Sequence, residues 1–132
     1  MTKKGFTLIE LMLVVVIIGS LAAMVTPRLT GRAEQARVAA ARVDIRVNIA
    51  TALKLFELDN GYFPTTEEGL KALLHKPSAA ANWNGPYLEK EPIDPWGRPY
   101  RYVSPGIHKS DYDLYSLGKD GVEGKDNITN WQ

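Results

Sequence analysis

Between Phe6 and Val25 the chain carries a single ionisable side chain, Glu10, in an otherwise apolar run. As an α-helix this stretch would rise about 30 Å, the thickness of a bilayer's hydrocarbon core. Lys3 and Lys4 stand in front of it, the arrangement of a segment whose positive end stays in the cytoplasm while the helix is threaded outward. Such a segment is either cut off as a signal peptide, for which Leu21-Ala22-Ala23 offers a small-residue site, or retained as an anchor. Glu10 argues for retention with a purpose. A carboxylate deep in hydrocarbon costs about 2.5–3.5 kcal/mol even on mild insertion scales, so a residue of this kind has a partner and a function.

Beyond Val25 the composition changes. Thr26 to Gln132 is polar and rich in Gly and Pro, and over all 132 residues the net charge is only +1. No global field favours nucleic acid or an acidic substrate. The chain has no cysteine, so a small exported domain of this kind needs a staple other than a disulfide, such as a metal or packing in an assembly.

Pro27 lacks the amide proton of a helix interior, which predicts a kink or local unwinding between Gly19 and Pro27. Helical periodicity resumes with Leu29, Ala33, Ala36, Ala40, Val43, Val47 and Ala50 on one face, widened by Ile45, Ile49, Ala52, Leu53 and Phe56. Arg28, Arg32, Arg37, Arg42 and Arg46 fit a solvated face with local pairs such as Asp44 with Asn48, or contact with phospholipid or a neighbouring subunit. Asp59-Asn60-Gly61 ends the helix. Thr65 and Glu68 form a capping-box pattern that predicts a short helix through Leu70, Leu73 and Leu74, closed by Lys76-Pro77. Ser78 to Gly85 reads as a loop. Tyr100–Val103 and Tyr112–Leu117 alternate as half-buried antiparallel strands, and the tail from Gly118 reads as irregular, with Trp131 packed back on the domain.

Chemistry-bearing residues are sparse. Asp94-Pro95-Trp96-Gly97 reads as a turn with Trp96 plugging the core, and Trp83 as a packing anchor. His75 and His108 stand apart in surface or capping positions. Asp111 and Asp113 flank Tyr112 on one strand face, where solvent exposure explains them as well as paired acid–base work does. No nucleophile motif is present.

Lys3-Lys4-Gly5-Phe6-Thr7-Leu8-Ile9-Glu10 resembles the processing and methylation signal of type IV pilins and type II secretion pseudopilins. The resemblance implies a prepilin peptidase that cuts between Gly5 and Phe6 and methylates the new amine of Phe6. It gives Glu10 a role as well: neutralising the Phe6 amine of a neighbouring subunit during assembly. Leu58-Asp59-Asn60-Gly61-Tyr62-Phe63-Pro64, Glu68-Gly69-Leu70, Asp94-Pro95-Trp96-Gly97 and Tyr112-Asp113-Leu114-Tyr115-Ser116-Leu117-Gly118 extend the likeness over nearly the whole chain, to the major pseudopilins (G subunits) of type II secretion.

That resemblance implies an α+β pilin fold in which a long N-terminal helix packs on a small antiparallel sheet with a calcium-binding C-terminal loop. Its parts are a leader over 1–5, a transmembrane and assembly helix over 6–26, an amphipathic half over 27–60 and a periplasmic globular part over 61–132. It implies a non-enzymatic, single-pass inner-membrane protein that forms a periplasmic homopolymer promoting export of folded proteins. The partners implied are minor pseudopilins and the inner-membrane assembly platform, with no nucleic acid. The alternatives are a type IV or minor pilin acting in adhesion or DNA uptake, against which the missing cysteines count, and an anchored periplasmic enzyme, which would need a cleft of converging titratable groups.

The resemblance also implies one calcium ion in the loop Leu117–Ile128, with the Leu117 carbonyl and the Asp120 side chain as ligands. The family's acid before isoleucine falls here at Asn127, so adjacent Asp126 is the better second acid. Gly118, Gly121 and Gly124 leave carbonyls free to turn toward an ion that takes six to eight oxygens. The loop is short and carries Lys125, both of which weaken affinity.

Overall fold

The computed structural model describes Lys4 to Gln132, the side chains of Thr26 and Pro27 excepted; Lys3 of the basic pair lies outside the described residues. The chain divides into two compact units, Met1–Ala36 and Arg37–Gln132.

In the first unit the Thr7 hydroxyl accepts the Glu10 amide (3.2 Å), and the Leu11 amide bonds the Thr7 carbonyl. Thr7 is thus an N-cap, and it sets the start of α1, Leu8–Val43. The backbone remains helical through Gly19 to Pro27, so of the kink or local unwinding predicted there, the unwinding does not occur. Proline removes one i→i−4 bond, and the bonded turns on either side suffice to carry the helix across it.

In the second unit a π-helical turn, Asp44–Asn48, joins α1 to α2, Ile49–Asn60. Gly61 closes α2 at φ 82° with its amide on the Glu57 carbonyl, as the Asp-Asn-Gly sequence predicts. The buried helix residues are Ala41, Ile45, Ile49, Ala52, Leu53 and Phe56, with Val38 partly covered. This corrects the predicted face: Leu29, Val43 and Val47 are more than half exposed. Ala36, Ala40 and Val43 are exposed and Ala41 is buried, so the stripe already runs off the Leu29 series within α1, while Ile45, Ile49, Ala52, Leu53 and Phe56 are buried as that face predicts.

Across from the helix lie Ala72, Leu73, Ala80, Tyr100, Leu114 and Ile128. The sheet is a meander of β1 (Arg101–Val103), β2 (Asp113–Ser116) and β3 (Ile128–Thr129), antiparallel throughout, with Tyr102 opposite Leu114 and Ser116 opposite Ile128. β3 lies inside the tail that reads as irregular. Asn130 prolongs its pairing with a side chain: the amide oxygen accepts the Leu114 N–H, and the amide nitrogen donates to the Tyr112 carbonyl, both at 3.0 Å.

Between helix and sheet the chain is held more by rings and turns than by regular structure. The Thr65–Glu68 capping box forms in both directions, yet the predicted helix does not follow. Gly69, at φ 62°, breaks the turn, and only a 3-10 segment, Leu70–Leu73, continues. Phe56 makes edge contacts with Tyr62 and Tyr87, and Tyr87 with Trp83, whose indole N–H donates to the Ala72 carbonyl at 2.7 Å. Trp83 is the anchor its sequence context predicts.

Candidate functional site

Gly5 and Phe6 precede the capped turn in non-helical backbone. Among the described residues a side chain on Gly5 would meet nothing within 4 Å, so no contact with them requires glycine there. The Phe6 ring is 80% exposed, and every large apolar side chain from Leu8 to Val25 is also exposed. Glu10 stands in the first turn of α1, where a carboxylate is favoured by the helix dipole. Thr7, four residues before Leu11, is the positioning residue that sequence inspection overlooked; its Thr-x-x-Glu spacing with Glu10 is that of a capping box. This helix is the one stretch long and apolar enough to cross a membrane among the described residues, with a mean hydropathy of 2.7 in its most apolar window.

The second candidate site is the C-terminal loop. Leu117 and Gly118 are buried at its entrance, and Gly118 adopts φ 77°. A Cβ at Gly118 would lie 2.4 Å from the Asp126 carbonyl oxygen, so the loop's two ends close on each other only because the residue is glycine. Asp120 and Asp126 are exposed and Asn127 is half-buried. One Asp120 carboxylate oxygen accepts the Val122 amide (3.2 Å), and the Asn127 amide oxygen accepts the Gly124 amide (3.3 Å). Tyr115 fastens the loop to β2 by donating to Glu123 at 2.7 Å.

Among the described residues no three His, Cys, Asp or Glu side chains cluster as a metal-binding group. The loop's oxygen donors are the carboxylates of Asp120, Glu123 and Asp126, the Asn127 amide oxygen and backbone carbonyls. Such a set suits a hard cation that tolerates irregular geometry and fills its sphere with water.

Other titratable residues have structural work. Asp94 is buried and organises its turn: Oδ1 accepts the amides of Trp96 and Arg98, and Oδ2 accepts the Ser116 hydroxyl at 2.8 Å. Trp96 packs against the core as predicted. The solvent-exposed reading fails for Asp113, which is 2% exposed, and holds for Asp111. The Asp113 carboxylate accepts the amides of Ile107, His108 and Lys109 and contacts His108 Nδ1 at 2.9 Å. Burial by itself would raise its pKa; the bonds from the His108 ring and these amides outweigh burial and hold it below the usual carboxylate value. The His108 ring stacks on Trp131 at 4.0 Å, which places Trp131 back on the domain, while His75 is exposed. Asn48 bonds Asp44, as its spacing predicts, and Tyr100 takes the other Asp44 oxygen.

Comparison with known proteins agrees with both ends of the chain. Residues 1–26 match the prokaryotic N-terminal methylation motif, and residues 28–131 match the family described as type II secretion system protein G. Similar proteins named type II secretion system core protein G occur in Pseudomonas aeruginosa, at 52% identity over 98% of this chain and 95% of that protein, and in Escherichia coli K12, at 47% identity over 98% and 91%. The crystal structure of the major pseudopilin from the type 2 secretion system of enterohaemorrhagic Escherichia coli superposes with a TM-score of 0.70 at 37% identity, covering 78% of this chain and 89% of that one. The apolar helix, its methylation motif and the three-stranded sheet therefore place this chain in the protein G family of type II secretion, the family of the major pseudopilins.

Proposed function

We propose that the chain is a non-enzymatic filament protomer, anchored by a single pass in the inner membrane and polymerising into a periplasmic pseudopilus that promotes export of folded proteins. Prepilin peptidase processes it between Gly5 and Phe6 and methylates Phe6. Minor pseudopilins and the inner-membrane assembly platform are its partners in the secretion system. The observation that carries this reading is the fully exposed apolar surface from Leu8 to Val25 with Glu10 at its start. Lipid covers such a surface in the unassembled subunit, and neighbouring helices replace lipid in the filament. A contact that repeats head to tail without closing makes an open helical polymer. The Phe6 amine then meets the Glu10 carboxylate of an adjacent subunit, which removes two charges from hydrocarbon at once.

The structural role is favoured over catalysis by what the carboxylates do. A surface groove of about 360 Å³ is lined by Glu67, Glu68, Glu91, Lys71 and Arg101, but Glu68 is held by Tyr62 and the Thr65 amide. The C-terminal loop, through Leu117, Asp120 and Asp126 or Asn127, holds one calcium ion as the staple that a disulfide supplies elsewhere. Hard oxygen donors on a glycine-closed loop support this assignment.

The test is assembly from membrane-extracted, processed protein. Mass spectrometry should find a methylated N-terminus at Phe6, and electron microscopy should find filaments. Glu10→Ala should insert and fold yet give at least about tenfold fewer filaments, the scale of losing one charge pair in a low-dielectric setting. An N-terminus at Met1 or near Ala23, or normal filament yield from Glu10→Ala, overturns the reading.

A further inference from the structure

The loop from Gly118 to Asn127 already faces a fixed cation from the protein. Arg98 follows the Asp94 turn, and its Nη1 donates to the Gly118 carbonyl at 2.9 Å. Its guanidinium then lies flat against Gly121: a Cβ there would fall 2.5 Å from Cζ, 2.6 Å from Nη2 and 2.7 Å from Nε. Gly121 also has φ 70°, a backbone that favours glycine and leaves the guanidinium room to lie against it. The base of Arg98 is fixed, because its amide donates to Asp94 Oδ1 (2.8 Å) and its carbonyl accepts the Asp94 amide (2.7 Å).

The same turn grips the other backbone group of Gly118. Asp94 Oδ2 accepts the Ser116 hydroxyl, and Ser116 Oγ accepts the Gly118 amide at 3.1 Å. The C=O of the loop's entry residue is therefore held by Arg98 of this turn, and its N–H by Ser116 of β2, whose hydroxyl the same turn holds through Asp94. In charge, Lys119 and Lys125 leave Asp120, Glu123 and Asp126 one negative charge in excess over 118–127, which the guanidinium cancels.

We propose that Arg98 is a built-in cation of the C-terminal loop that fixes the loop's fold without metal and thereby lowers its affinity for calcium. This rests on the calcium reading of the loop given above. A guanidinium bonded to the Gly118 carbonyl takes one oxygen that an ion could draw on, and seated against Gly121 it repels a divalent cation bound nearby. Arg98 is thus an affinity-setting residue, not a ligand. The chain's one calcium would be held weakly while its loop stays ordered in the ion's absence, because the arginine has taken over part of the ion's work.

The experiment uses the full processed chain in detergent micelles. Calcium is titrated calorimetrically into the wild type, Arg98→Gln and Arg98→Lys, and melting is followed with excess chelator and with excess calcium. Arg98→Gln should bind calcium about tenfold more tightly, the effect of removing one nearby like charge in a partly solvated site. Its melting temperature should depend on calcium more steeply than that of the wild type, with the loss concentrated in chelator. Arg98→Lys should keep the weak affinity of the wild type, since it keeps the charge. Equal calcium affinity in the wild type and Arg98→Gln overturns the role of Arg98 while leaving the calcium site standing. No calcium binding by any of the three proteins overturns the calcium reading and this proposal with it.

Discussion

Leu8–Val25 and Ala41–Phe56 are two stretches of helix, both rich in apolar residues, with opposite surroundings. In the first, every large apolar side chain is exposed; in the second, Ala41, Ile45, Ile49, Ala52, Leu53 and Phe56 are sealed while Arg42, Arg46 and Lys54 face outward. Pattern explains the contrast. A helix apolar all round has no face to offer water and finds its cover outside its own chain, whereas a stripe turns inward and leaves a polar face behind. The first stretch is therefore a surface left without cover, which the proposed function assigns to lipid and neighbouring subunits, and the second is the floor of a folded domain.

The comparison breaks most visibly under a reciprocal pair of substitutions. Phe56→Ala removes the ring at the centre of the Tyr62 and Tyr87 contacts and should destabilise the globular part by about 3–5 kcal/mol, read by denaturant unfolding through tryptophan fluorescence. Membrane association of that variant should be unchanged. Ile17→Arg should do the reverse, impairing insertion by about 2.5–3.5 kcal/mol with the unfolding midpoint of the globular part unmoved. If either variant shifts both readouts, the two regions are not separate in their energetics.

A smaller effect sharpens the picture of how the globular part closes its loops. Asp113 gathers three amides and the His108 ring, and Asp113→Asn should cost about 1–3 kcal/mol by weakening charge-assisted bonds in a buried site. The sign with pH follows from the lowered folded-state value. The contribution is complete above the unfolded carboxyl value near about 3.9 and drains away as pH falls through the folded value. Unfolding measured between neutral pH and the acid limit should therefore show the two proteins converging at low pH. A constant gap down to the acid limit would mean that packing, not ionisation, accounts for the loss.

Much of this was legible in residues whose meaning is local. Gly61, the Asp94 turn and the Asp44–Asn48 pair declare themselves within a few positions, and the apolar run announces by its length a helix able to cross a membrane; the half-buried alternation read for Tyr112–Leu117 does not hold, since Asp113, Leu114, Ser116 and Leu117 are all buried. What escaped depended on distance or phase. β3 has two residues and is prolonged by the Asn130 side chain, which no alternation records. Asp113 reads as a strand residue beside Asp111, yet its partners come from the loop 107–109 that folds back on it. Arg98 sits twenty residues from the carbonyl it holds. The Thr65–Glu68 box is real, but Gly69 behind it has a backbone that ends the turn.

The smallest predicted effect concerns the face on which sequence periodicity and structure part company. Val47 is 54% exposed and Ile49, two residues on, is 1% exposed. Val43 is exposed as well. In the isolated subunit these valines touch little of the core, so Val47→Ser should change stability by no more than about 0.5 kcal/mol, whereas Ile49→Ser should lose several times that through an unfilled space and a buried hydroxyl. Melting of the two variants in the unassembled state decides the phase of the stripe. A loss for Val47→Ser equal to that for Ile49→Ser would mean that both residues line the core, as the sequence periodicity predicts. If Val47→Ser instead melts with the wild type but yields fewer filaments, the exposed valines belong to the contact between subunits, and the helix carries two working faces: one turned to its own domain and one turned to the next copy.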